Sequence, residues 1–188
     1  MSDQLKPTEA QITAELLADL DRLGVSRVHY VPEVWMLCWT HSIRDAADRL
    51  RIDYVAEWEG RLLGIEVKAP PTKQADLGRD LLQCAQYAHG VIGANRSDVP
   101  PAWIGKPLEA VFLRTTLVGA HQGIRNHALC AHRLYGPANV GFVVRESRGL
   151  CLRLCGERFW TEWSGYHQGM LEKNPRSGNG SFRAGATP

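Results

Sequence analysis

The segment Arg51 to Lys68, RIDYVAEWEGRLLGIEVK, constrains the fold more than any other stretch, because two strand-like runs meet there at Glu59-Gly60. A tight loop at those two residues pairs Trp58 with Arg61, Glu57 with Leu62, Ala56 with Leu63 and, at the far end, Asp53 with Glu66. Side chains directly opposed on antiparallel strands stand roughly 4.5–5.5 Å apart at Cβ, and like charges there are destabilising unless something compensates them. A divalent cation is the natural compensator. Alternation along the strands places Lys68 on the face of Asp53 and Glu66, and places Ile65 and Val67 on the other face with Ile52, Tyr54, Ala56 and Trp58.

The flanking chain supplies helices and further strands. Thr8-Glu9-Ala10-Gln11 reads as a capping box, after which Ile12, Leu16, Leu20 and Leu23 recur on one helical face up to Gly24. Glu15 and Asp19 fall on one flank of that stripe. Val25 to Thr40 is rich in β-branched and aromatic residues but broken by Pro32, which predicts one irregular strand or two short ones, with Trp35 and Trp39 as core residues. Residues 41–50 carry Arg44 just ahead of Arg49 and Arg51 and read as a helical turn or a loop.

After the hairpin, Ala69-Pro70-Pro71 ends the strand, and a helix is predicted from about Lys73 to Val91 with Leu77, Leu81, Cys84, Ala85 and Ala88 inward. Asp76, Asp80, Gln83 and Tyr87 form a polar stripe beside that apolar face, within about 60° on the helical wheel. Residues 93–107 read as a long loop able to fold over a substrate near Trp103. Residues 109–118 read as a strand and residues 124–134 as a helix. Val140–Glu146 and Leu150–Cys155 then form a hairpin around Ser147-Arg148-Gly149, and the chain from Gly169 reads as a disordered tail.

Asp53, followed by Glu66-Val67-Lys68 at the end of the next strand, resembles the PD-(D/E)xK nuclease superfamily, with Ile52 where that motif has proline. Gln83 and Tyr87, four residues apart on the following helix, resemble the Q-x-x-x-Y signature of its lambda exonuclease and RecB-like branch. The resemblance covers about residues 8–118. It implies a restriction-endonuclease-like α-β-β-β-α-β core, a central mixed sheet flanked by helices, with a C-terminal helix and hairpin as elaboration over 119–168. One domain over 1–168 and a tail over 169–188 are expected.

What the resemblance implies for chemistry is a Mg²⁺-dependent nuclease, with Mn²⁺ as substitute, that hydrolyses phosphodiester bonds of DNA. Asp53, Glu66 and the Val67 carbonyl would be the metal ligands, Lys68 would act on the attacking water, and Glu15, with Asp19 as fallback, would be the first-helix acid. Gln83, Tyr87, Arg44, Arg51 and Lys73 are the expected substrate contacts, and the Gln83/Tyr87 pair leans toward exonuclease action. A catalytically inactive nuclease-like binding or regulatory module is the alternative.

Composition bears on partners and compartment. Residues 1–108 hold 12 basic and 15 acidic side chains, whereas 109–188 hold 10 and 5, so an acidic metal-binding half would adjoin a basic half suited to a polyanion. Five scattered cysteines fit reduced thiols better than a disulfide framework. No run reaches the roughly 18 apolar residues of a membrane span, and MSDQLKPTEA lacks signal-peptide character, so a cytoplasmic protein without membrane contact is expected. His121, His127 and His132 are not spaced to put three zinc ligands on one helical face. No phosphate-binding glycine loop and no Ser-His-Asp context argues for a kinase, dehydrogenase or esterase.

Overall fold

Thr8 starts the first helix through a reciprocal cap. Its backbone N–H donates to Gln11 Oε1 at 2.7 Å, and Gln11 N–H donates to Thr8 Oγ1 at 3.3 Å. Helix α1 (Glu9–Leu23) then buries Ile12, Leu16 and Leu20. In the computed structural model the described residues are 6–23, 28–38, 49–58, 60–94, 98–116, 139–146, 149–154 and 160–163. The helix expected over 124–134, the histidines at 121, 127 and 132, Arg44 and the tail from Gly169 lie outside them.

The strands are β1 (Val28–Leu37), β2 (Arg49–Trp58) and β3 (Arg61–Val67). Helix α2 (Gln74–Ala88) leads to the short β4 (Val91–Ile92), then β5 (Ala110–Arg114), β6 (Val140–Glu146), β7 (Gly149–Leu154) and β8 (Trp160–Trp163). The fold is mixed α/β, and the strands among the described residues form an eight-stranded sheet in the order β4-β1-β2-β3-β5-β6-β7-β8. β1, β2 and β3 are antiparallel neighbours, while β5 runs parallel to β3 and to β6. The parallel step from β3 to β5 needs a crossover, which α2 provides.

The hairpin register is the one its turn dictates: Trp58 opposes Arg61, Glu57 opposes Leu62 and Ala56 opposes Leu63. Gly60 adopts φ 78°, a conformation that glycine alone reaches without strain. The C-terminal hairpin expected from sequence is β6 and β7, paired from Gly141 with Leu154 to Glu146 with Gly149.

Two apolar layers cover the sheet. Leu63, Ile65 and Val67 of β3 pack with α1, whereas Leu62, Val111 and Leu113 pack with Leu77, Leu81 and Cys84 of α2. Each fully buried leucine or isoleucine stabilises the fold by roughly 1.5–3 kcal/mol, so the helices are held chiefly by these faces. Gly64 lies on the α2 side. A Cβ there would stand 2.6 Å from Ile52 Cδ1 and 2.8 Å from Leu108 Cδ1, so only glycine lets those side chains close over the strand.

One departure from simple alternation matters for the site. Tyr54, Ala56 and Trp58 belong to the α1 layer as expected, but Ile52 lies in the α2 layer with Val55. β1 changes face at the matching place, since Val31 and Val34 share the α2 layer although three residues apart. Between them Glu33 takes φ 53°, a left-handed conformation unusual for a non-glycine residue. Pro32 and Glu33 thus form the irregularity that the sequence of β1 announced, within a single strand. The twist falls opposite Asp53, between the ladder pairs Pro32 with Tyr54 and Val34 with Ile52.

The loop expected to cover a substrate is instead part of the core near its middle. Pro101–Trp103 form a 3-10 turn, Trp103 is 3% exposed, and its Nε1 donates to Glu57 Oε2 at 2.9 Å. Ile92 N–H donates to the Lys106 carbonyl and Gly105 N–H to the Ile92 carbonyl, which ties the loop to β4. Among the described residues no helix is long and apolar enough to cross a membrane.

Candidate functional site

The β2–β3 ladder ends at Tyr54 and Ile65, one rung short of Asp53 and Glu66. Beyond that point the two carboxylates take over the main-chain groups of the opposite strand. Asp53 N–H donates to Glu66 Oε2 at 3.3 Å, and Val67 N–H donates to Asp53 Oδ2 at 2.7 Å. The acids are therefore locked reciprocally, each to the backbone of the strand that carries the other. Lys68 Nζ donates to Glu66 Oε1 at 2.5 Å, and Lys68 N–H donates to the Arg114 carbonyl, which fixes the residue at the end of β3.

Burial grades across the group. Glu66 is 1% exposed, Asp53 is half-buried, and the Lys68 side chain is 26% exposed, so the group opens to solvent on the Asp53 and Lys68 side. Burial lifts the Glu66 carboxyl to about 7, with repulsion from Asp53 adding, against the opposing pull of Lys68. Burial likewise raises Asp53, although the Val67 N–H and the Lys68 charge oppose it. For Lys68, burial disfavours the ammonium, but the hydrogen bond and charge of Glu66, with Asp53 and Glu9, outweigh it and raise the group. The three groups form one electrostatic unit carrying excess negative charge.

Glu15 does not turn toward this unit. It accepts from Arg114 Nη2 at 3.2 Å, on the α1 face of the sheet, where it offsets the charge of a guanidinium only 7% exposed. Asp19 is buried in α1 at 5% exposure. The first-helix acid that acts on the unit is Glu9, in the opening turn of α1. Its Oε2 accepts from Ala69 N–H at 3.4 Å, and its charge is felt by both Asp53 and Lys68. Glu9 was legible as part of the capping box, but its reach past the end of β3 depends on where α1 lies along the sheet.

Gln83 and Tyr87 lie together on α2, and Gln83 Nε2 donates to the Tyr87 hydroxyl at 2.7 Å. The Tyr87 hydroxyl donates in turn to the Arg51 carbonyl at 2.7 Å, two residues before Asp53. Tyr87 is fully buried, and burial, with the charge of Glu66, holds its hydroxyl in the neutral form. Its contact is thus with strand β2. Arg51 pairs with Glu33 at 2.9 Å and lies 5.9 Å from the centre of the Trp35 ring. Lys73 caps α2, and its N–H donates to Asp76 Oδ2 at 3.0 Å.

The oxygen donors present, Asp53, Glu66 and the Val67 carbonyl, are hard ligands of the kind that suit Mg²⁺, an ion that usually keeps several waters. Among the described residues no group of three or more His, Cys, Asp or Glu side chains gathers closely enough to hold a metal ion. Comparisons of the chain with protein-family models, with curated proteins and with solved structures return no match.

Proposed function

We propose that this protein is a nuclease of the PD-(D/E)xK type, a Mg²⁺-dependent hydrolase of phosphodiester bonds in DNA, built on a restriction-endonuclease-like core. The observation that carries the reading is the reciprocal lock of Asp53 and Glu66 at the end of one hairpin, with Lys68 bonded to Glu66. Apart from the two-residue β4 and the 3-10 turn that lie between α2 and β5, elements α1, β1, β2, β3, α2 and β5 follow in the α-β-β-β-α-β order, with the acids at the end of the β2–β3 pair.

Asp53, Glu66 and the Val67 carbonyl would hold the cation. The donor set fits, because two carboxylates raised toward protonation, Glu66 by burial and by repulsion from Asp53, and Asp53 chiefly by burial, are relieved by positive charge placed between them. When bound, such an ion lowers the pKa of a coordinated water and neutralises charge on the scissile phosphate. Lys68, the partly exposed cation of the group, would orient the attacking water and stabilise charge that builds on the phosphoryl oxygens. Tyr87 and Gln83 would hold β2 in the path that presents Asp53.

A second reading rests on the same lock. Both Glu66 oxygens are already engaged within the chain, Oε1 by Lys68 and Oε2 by Asp53 N–H, as suits a nuclease-like module that binds without cutting. Incubation of linear, nicked, single-stranded and branched DNA with Mg²⁺ or Mn²⁺ decides between them. The nuclease reading expects cation-dependent cleavage that Asp53→Ala and Lys68→Ala abolish. Binding without cleavage in either metal supports the module.

A further inference from the structure

On the nuclease reading proposed above, the strand to be cut passes the acid pair, and the groups beside that pair decide which form of DNA fits. β2 pairs with β3 only as far as Tyr54, but it stays paired with β1 as far as Arg49 and Leu37. β1 and β2 therefore run on past the acids as a two-stranded ribbon. One face of the ribbon, with Val34, Met36, Leu50 and Ile52, belongs to the α2 layer. The alternate residues Trp35 and Arg51, directly opposed across the two strands, fall on the other face.

Trp35, expected in the core, is half-buried and belongs to neither apolar layer, since α1 packs instead with Tyr30, Tyr54, Ala56 and Trp58. Leu37, next on the same side of β1, is 44% exposed. The Arg51 guanidinium lies 5.9 Å from the centre of the Trp35 ring, at the limit of the cation–π range, so it flanks the indole without sealing it. Arg51 Nη1 stands 2.9 Å from Glu33 Oε2, and the Tyr87 hydroxyl holds the Arg51 carbonyl. Arg51 is thus fixed at backbone and side chain while its side chain remains 53% exposed. A guanidinium carries five N–H donors, so one carboxylate leaves donors for a phosphate. Arg51 is two residues from Asp53, about 6–7 Å along the strand. An indole face accepts any base, but only a base released from a duplex has a face to offer it.

We infer that Trp35 and Arg51 form a single-strand subsite beside the acid pair: an unpaired base stacks on Trp35, and an adjoining phosphate takes Arg51. The substrate class is then DNA with an unpaired end or segment. Glu33 keeps the guanidinium beside the ring before DNA arrives, which lowers the cost of ordering a long side chain on binding.

Binding of a fluorescent thymidine oligonucleotide to the full chain, followed by anisotropy without divalent cations so that the strand stays intact, tests this. An oligonucleotide of the same length with abasic sites in place of thymidines and a duplex serve as comparisons. The unaltered protein is expected to hold the thymidine strand more tightly than either. Trp35→Ala is expected to weaken that binding about tenfold, the size of one base–aromatic stack, to leave abasic binding unchanged, and to be rescued by Trp35→Phe. Arg51→Ala is expected to weaken binding of the thymidine and abasic strands alike. Equal affinity of Trp35→Ala and the unaltered protein for the thymidine strand overturns the subsite, as does an equal loss on the abasic strand or a duplex held as tightly as the single strand. Unchanged abasic binding and circular dichroism show that Trp35→Ala is folded. Cleavage with Mg²⁺ is read separately: a protein that cuts DNA without the Trp35 effect keeps the nuclease reading and loses the subsite, and one that shows the effect without cutting keeps the subsite and loses the nuclease reading.

Discussion

Glu66 should make this protein less stable as pH rises through the neutral range when divalent cations are chelated. Its carboxyl is raised from 4.5 to about 7 by burial and by Asp53. Between those values the native chain keeps a proton that the unfolded chain has lost, so stability present at low pH falls as pH increases through the window. The difference corresponds to about 3 kcal/mol, at about 1.4 kcal/mol per tenfold change in proton affinity. For a chain of this size that is a fall of roughly 6–12 °C in midpoint. Thermal and urea unfolding followed by circular dichroism between about pH 5 and pH 8, on the unaltered protein and on Glu66→Gln, isolates the contribution, because other titrating groups are common to both. The unaltered protein should lose about 3 kcal/mol relative to the variant across the range. Parallel pH profiles for the two proteins would refute the electrostatic account of the acid pair.

Other substitutions probe the frame around the site. Gly64→Ala should lower stability by about 1–3 kcal/mol in urea unfolding, because the added methyl meets Ile52 and Leu108 inside van der Waals distance. Tyr87→Phe removes the donor to the Arg51 carbonyl and the acceptor for Gln83, and should cost about 1–3 kcal/mol with the fold retained. Glu9→Gln should weaken Mn²⁺ binding in calorimetry several-fold, whereas Glu15→Gln should leave it unchanged and lower the melting temperature through the buried Arg114.

Local chemistry made much of this fold readable. The turn at Gly60 fixes the register of β2 against β3, Thr8 and Gln11 fix the start of α1, and the spacing of Leu77, Leu81 and Cys84 fixes the buried face of α2. What escaped depends on packing between distant segments. Period-two alternation put Ile52 with Tyr54, but Glu33, in the neighbouring strand, twists both strands at Asp53 and sends Ile52 to the opposite layer. A helical wheel gives the angle of Glu15 around α1 and says nothing of its height along the sheet. α1 lies over the face opposite Glu66, so only its first turn, with Glu9, reaches around the end of β3. Trp103 likewise looked like a loop residue because its partner Glu57 is remote in sequence.

The idea on which all of this turns is that a divalent ion sits between Asp53 and Glu66. A manganese titration followed by two-dimensional NMR addresses it without any assumption about substrate, since a paramagnetic ion broadens the amides nearest to it. The backbone signals of Asp53, Glu66, Val67 and Lys68 should fade first and together, and should persist in Asp53→Asn. Signals that fade first around exposed acids such as Glu33 or Glu109, or that fade equally in the variant, would mean that the acid pair is closed by Lys68 alone and holds no ion.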